Sequence, residues 1–73
     1  MTCYFRHIGH IFRAATVEVV PDDEEDIDTF IRELLRIQEG SCHEVWYVLR
    51  PWIENPNMKQ ILIQALRDEF GQR

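Results

Sequence analysis

The segment from Asn55 to Gly71 limits the folds open to this chain more than any other stretch. Asn55-Pro56 reads as an N-cap followed by proline at the first helical position, where the missing N–H breaks no internal hydrogen bond. Met58, Ile61, Leu62, Ala65, Leu66 and Phe70 then recur at helical spacing, with Ile63 off the stripe, and Gly71 supplies the stop. The pattern predicts an amphipathic helix whose apolar stripe needs other elements to cover it. A chain of 73 residues has room for one small core. The other elements must therefore be short and must face this helix.

Three further segments carry such patterns. Residues 3 to 15 place Tyr4, Phe5, Ile8, Ile11, Phe12 and Ala15 on one helical face, with Cys3, His7, His10 and Ala14 as a narrow stripe along its flank. Thr16-Val17-Glu18-Val19-Val20 is β-branched and reads as an extended connector stopped by Pro21. A second helix follows, with Asp22 or Asp23 as N-cap and Ile27, Phe30, Ile31, Leu34 and Leu35 on one face. Asp28 and Arg32 make a favourably ordered i,i+4 pair on it, and Gly40 is the expected left-handed stop. Ser41-x-x-Glu44 forms a capping box, predicting a third helix from Cys42 with Val45, Val48, Leu49 and Trp52 on one side, ending or kinking near Pro51.

The fold class these segments predict is all-α, a single small domain over residues 1–73 built from three or four short helices. The rival is α+β, with residues 17–20 pairing with 45–49 as a two-stranded sheet, because Val45 to Leu49 also has strong strand propensity. Hydrophobic residues at 45% and charged residues at 29% exclude a disordered or collagen-like chain. No apolar run is long enough for a membrane span, and the first residues lack the pattern of a secretory signal. The expectation is a cytoplasmic protein that does not enter membranes.

Charge narrows the partners. The chain carries 13 acids and 8 bases. Asp22, Asp23, Glu24, Glu25, Asp26 and Asp28 crowd into the start of the second helix, where the helix dipole favours them. The body is otherwise nearly neutral and offers no basic face for phosphates, so nucleic acid is not an expected partner. The acidic run lacks the alternation and the turn glycine of a calcium loop.

Chemistry-bearing residues are few. Cys3, His7, His10, Cys42 and His43 are the candidate metal ligands, and a zinc-like ion is the cofactor they would take. Cys3 and His7 are four apart on the first predicted helix. His10 stands about 10 Å along the axis from Cys3, so the two are alternatives around His7. Cys42 and His43 open the third helix, where backbone N–H groups favour a thiolate. The spacing contains no CxxC pair, and the bland reading makes the cysteines a small buried residue and a terminal one. In a cytosolic chain the two cysteines are expected as reduced thiols or metal ligands rather than as a disulfide. Catalysis would need an orienting group and an enclosed pocket that the sequence does not supply, so an enzyme is not expected.

The remaining signal is surplus apolar surface. Trp46, Tyr47, Trp52 and Ile53 surround the expected break in the third helix, while Phe5, Phe12 and Ile63 exceed what four short helices are expected to bury. Arg50 lies between Tyr47 and Trp52, and aromatic residues beside arginine are typical interface anchors. Trp46, Tyr47, Arg50 and Trp52 are therefore the expected contact residues of a small interaction or regulatory module, with a protein partner or a second copy in a homodimer.

Overall fold

Four α-helices carry the architecture of the computed structural model, which describes residues 3–71. They are α1 (Gly9–Ala14), α2 (Glu24–Leu35), α3 (Cys42–Glu54) and α4 (Pro56–Phe70), with short 3-10 turns at Phe5–His7 and Pro21–Asp23. There is no strand among the described residues, so the domain is all-α. Residues 17–20 form an extended connector with Val17 buried. Residues 45–49 lie inside α3, and burial shows why the strand alternative fails. A strand would send Val45, Tyr47 and Leu49 to the same side, yet Val45 and Leu49 are fully buried while Tyr47 is 82% exposed.

One core joins the helices. Tyr4, Ile8 and Ile11 from the N-terminal segment meet Ile27 and Ile31 of α2, Val45 and Leu49 of α3, and Leu62 and Leu66 of α4. Helix α4 packs on both α3 and α1, and α2 packs on α3. Phe30 of α2 meets Phe70 of α4 edge to face at 5.5 Å between ring centres. The radius of gyration, 11.1 Å, equals the value of about 11 Å expected for a folded chain of this length.

Several sequence expectations are corrected by this packing. The single helix expected over residues 3–15 is broken: Ile8 leaves helical geometry with φ −119°, separating the 3-10 turn from α1. Phe5 and Phe12 would stand about 10 Å apart along a continuous helix. The break brings their rings to 5.2 Å, edge to face, and Tyr4 lies 5.1 Å from Phe5. The predicted apolar residues are all buried nonetheless, including Phe5 and Phe12, which are therefore not surplus.

Helix ends also differ from expectation. The left-handed stop of α2 is Arg36 (φ 59°), not Gly40. The Ile37 N–H donates to the Arg32 carbonyl (2.9 Å) and the Arg36 N–H to that of Glu33 (3.1 Å), the paired bonds of a Schellman closure. Thr16 (φ 56°) closes α1 in the same way, with Val17 donating to Phe12 and Thr16 to Arg13. Gly40 also has a positive φ, 130°, but it lies in the loop before α3. Asp23 makes no side-chain cap bond to α2, which starts instead from the preceding 3-10 turn.

Helix α3 starts as expected, the Glu44 N–H donating to the Ser41 hydroxyl at 3.3 Å, but it runs through Pro51 to Glu54. Proline deprives the residue 47 carbonyl of its donor. That carbonyl belongs to the exposed Tyr47, on the side where water can replace the lost partner. Asn55 caps α4 by accepting from the N–H groups of Asn57 (2.9 Å) and Met58 (3.2 Å). The buried arc of α4 is shifted from the predicted stripe: Ile63 is buried and Ile61 is 54% exposed, because α4 faces α1 as well as α3. Gly71 is not left-handed (φ −69°). It is required by close approach, since a Cβ there would lie 2.6 Å from the Arg67 carbonyl oxygen and 3.0 Å from that of Ala15.

Candidate functional site

The start of α3 and the N-terminal turn form one locality. Ser41 sets the first turn of α3, and Cys42 and His43 follow as its first two residues. Cys3 lies in the turn ahead of Phe5–His7. Burial of Tyr4, Phe5 and Ile8 against the core pulls that turn onto α3, and the Cα atoms of Cys3 and Cys42 end 6.0 Å apart. This separation lies within disulfide range, and the two cysteines are bonded to each other. The expectation of reduced thiols is thereby overturned. Two cysteines 39 positions apart carry no spacing signature, and only the docking of the N-terminal turn brings them together.

The five candidate ligands divide. One potential ligand atom from each of Cys3, Cys42 and His43 falls within 4.8 Å of the others. Both cysteines are half-buried and His43 is exposed. His7 and His10 are outside this group. The 3-10 turn removes the i,i+4 relation on which the pairing of Cys3 with His7 depended, and His7 instead stacks on Trp46 at 4.7 Å with 23° between the planes. His10 is exposed on α1. While the disulfide is closed neither sulfur is a thiolate, so the trio has one ligand to give, the His43 imidazole.

The four candidate contact residues are also divided. Trp46 is half-buried beneath His7, and Trp52 is half-buried against the core. Tyr47 points outward, with Arg50 and Glu54 further along the same side of α3. The Arg50 Nε lies 3.4 Å from a Glu54 carboxylate oxygen, both side chains about two-thirds exposed (67% and 66%). Such an exposed pair contributes little to stability. It does place a cation and an anion beside an exposed aromatic ring.

A polar string ties this locality together, and part of it escaped the sequence. The Tyr4 hydroxyl donates to Asp28, the Arg32 Nε donates to the other Asp28 oxygen at 3.0 Å, and the Arg32 Nη1 donates to the Gly40 carbonyl at 2.9 Å. The Asp28–Arg32 pair was legible from spacing. Tyr4 was read only as an apolar position, although a buried phenol needs a partner for its hydroxyl. Burial first, then the hydrogen bond and charge of Asp28, raise the Tyr4 phenol well above its ordinary range, with Arg32 opposing.

An apolar depression of about 300 Å³ lies between the N-terminal turn and the connector, walled by Phe5, Phe12, Val17 and Val19. Arg6 is its one charged wall residue, too sparse a polar set to orient a small molecule. No helix among the described residues is long and apolar enough to cross a membrane. No family model, no curated protein and no solved structure matches this chain.

Proposed function

We propose that this chain is a protein-interaction module that pairs with a second copy of itself through the outer face of α3. The observation that carries the reading is Tyr47, a large aromatic side chain 82% exposed on a well-formed helix. Tyrosine serves interfaces well because it offers a large rigid area with few rotamers to lose. Arg50 and Glu54 supply the second support. A two-fold interface puts the same patch on both sides, so a face holding both charges can set Arg50 of each copy against Glu54 of the other. The acidic run lies on a different element from this patch, at the start of α2.

In the cytoplasm, the location expected from sequence, cellular reductants keep thiols reduced. The oxidised form described here belongs to an oxidising setting, and the reduced form to the cytoplasm.

Sedimentation equilibrium over a wide concentration range tests the reading, comparing the unaltered chain with Tyr47→Ser and with Arg50→Glu. Self-association should weaken at least about tenfold in each variant, the order expected for an anchor residue worth more than about 1 kcal/mol. Both positions are exposed, so the melting temperature should hold. A chain that stays monomeric at every concentration, or a dimer indifferent to both changes, would defeat the proposal.

A further inference from the structure

The Cys3–Cys42 disulfide covers a second chemistry. We infer that, once reduced, Cys3, Cys42 and His43 form a binding site for a zinc-like divalent ion, so that disulfide and metal are alternative occupants of one place.

Geometry is the first support. The three ligand atoms already lie within 4.8 Å of one another. Two thiolates on one tetrahedral zinc stand about 3.8 Å apart, given Zn–S bonds of about 2.3 Å. The Cα separation of 6.0 Å is compatible with either arrangement. Opening the sulfur pair from bonded to metal-bridging distance needs rotation of the Cys3 and Cys42 side chains, the first in a turn and the second in the first turn of α3.

Chemistry is the second support. Two thiolates and a neutral imidazole balance the charge of a divalent ion and match the softness that zinc prefers. Cys42 and His43 occupy the first turn of α3, where the helix dipole stabilises a thiolate. His43 is exposed and both cysteines are half-buried, so an ion can reach the three ligands from solvent.

The redox step balances simply. A dithiol reductant gives two electrons and two protons, becoming a disulfide itself, while the Sγ–Sγ bond breaks to two thiols. Each thiol then loses its proton to solvent as it binds the ion.

Cobalt(II) is the probe, because tetrahedral cobalt–thiolate complexes absorb visible light. The full chain would be reduced anaerobically with a water-soluble phosphine, which takes an oxygen atom from water as it breaks the disulfide, and then titrated with cobalt. The expected result is one cobalt per reduced chain with a thiolate charge-transfer band, displaced by zinc, and no such spectrum from the oxidised chain. His43→Ala should weaken binding by more than about tenfold, since even loss of an outer partner of a metal ligand costs about 10- to 100-fold. His7→Ala and His10→Ala should leave it unchanged. If the reduced chain unfolds without metal, cobalt should restore its helical circular dichroism. Absence of cobalt binding by the reduced chain, failure of cobalt to refold it, an equal spectrum before and after reduction, or equal losses in all three histidine variants would each overturn the inference.

Discussion

Tyr4 shows how one atom can decide a residue's behaviour. Its ring belongs to the apolar stripe and is fully buried, while its hydroxyl spans from the N-terminal turn to Asp28 of α2. The folded chain holds this proton to a higher pH than the unfolded chain, whose phenol titrates near about 10. Above that pH the unfolded state binds fewer protons than the folded one, so stability falls as pH rises; below it the contribution is fully present. Denaturant midpoints measured from neutral to strongly alkaline pH should therefore decline above about pH 10. Tyr4→Phe should flatten that decline. The same alkaline slope in Tyr4→Phe would assign the loss to other groups. At Thr16 and Arg36 the backbone is left-handed without glycine, a conformation that costs a side-chain-bearing residue about 1–2 kcal/mol. The closing hydrogen bonds of α1 and α2 hold it in place.

Pro51 makes the helix scale testable. It sits three residues before the end of α3 and leaves one carbonyl to solvent. Pro51→Ala restores a donor and removes a ring clash, so it should raise unfolding free energy by about 1–3 kcal/mol. Chemical denaturation would measure it, and an unchanged or lowered value would show that α3 is built around the proline. Legibility follows the same physics. Caps at Ser41 and Asn55 were readable because a side-chain oxygen meets an N–H two or three residues on, a relation contained in the sequence. The burial of Ile27, Ile31, Val45, Leu49, Leu62 and Leu66 was readable from periodicity. The break at Ile8 was not, because it answers to the approach of Phe5 and Phe12. Nor was the stop at Arg36, since a glycine four residues later was the only local sign of a left-handed turn. Ile61 and Ile63 exchange their expected exposures because the direction α4 faces is set by α1, some fifty residues away. The candidate site was half legible: Cys42 and His43 are neighbours in sequence, whereas Cys3 joins them only through the fold.

At the scale of the whole molecule, a core this small leaves much to cross-links. The Cys3–Cys42 bond spans 39 positions, and loop-closure entropy assigns such a bond about 4 kcal/mol. That is a large share of the total for a domain of this size. Melting followed by circular dichroism, with and without a phosphine reductant and with metal excluded, should show a fall of about 15 °C or more on reduction. A shift of only a few degrees would mean that the apolar core alone secures the N-terminal turn. A second tie joins the far ends of the fold, the Arg67 Nη2 donating to the Ala14 carbonyl at 2.6 Å so that α4 finishes against α1.

The position of the disulfide also divides the chain mechanically. Helices α1 and α2 lie inside the covalent loop, whereas α4 and all but the first residue of α3 lie beyond it. A pull on the two ends of the oxidised molecule would pass through the sulfur bridge and load only α3 and α4. The loop between Cys3 and Cys42, about 130 Å of extended chain, would stay slack until a reductant released it. The extensible length of this protein is therefore set by the redox state of its surroundings.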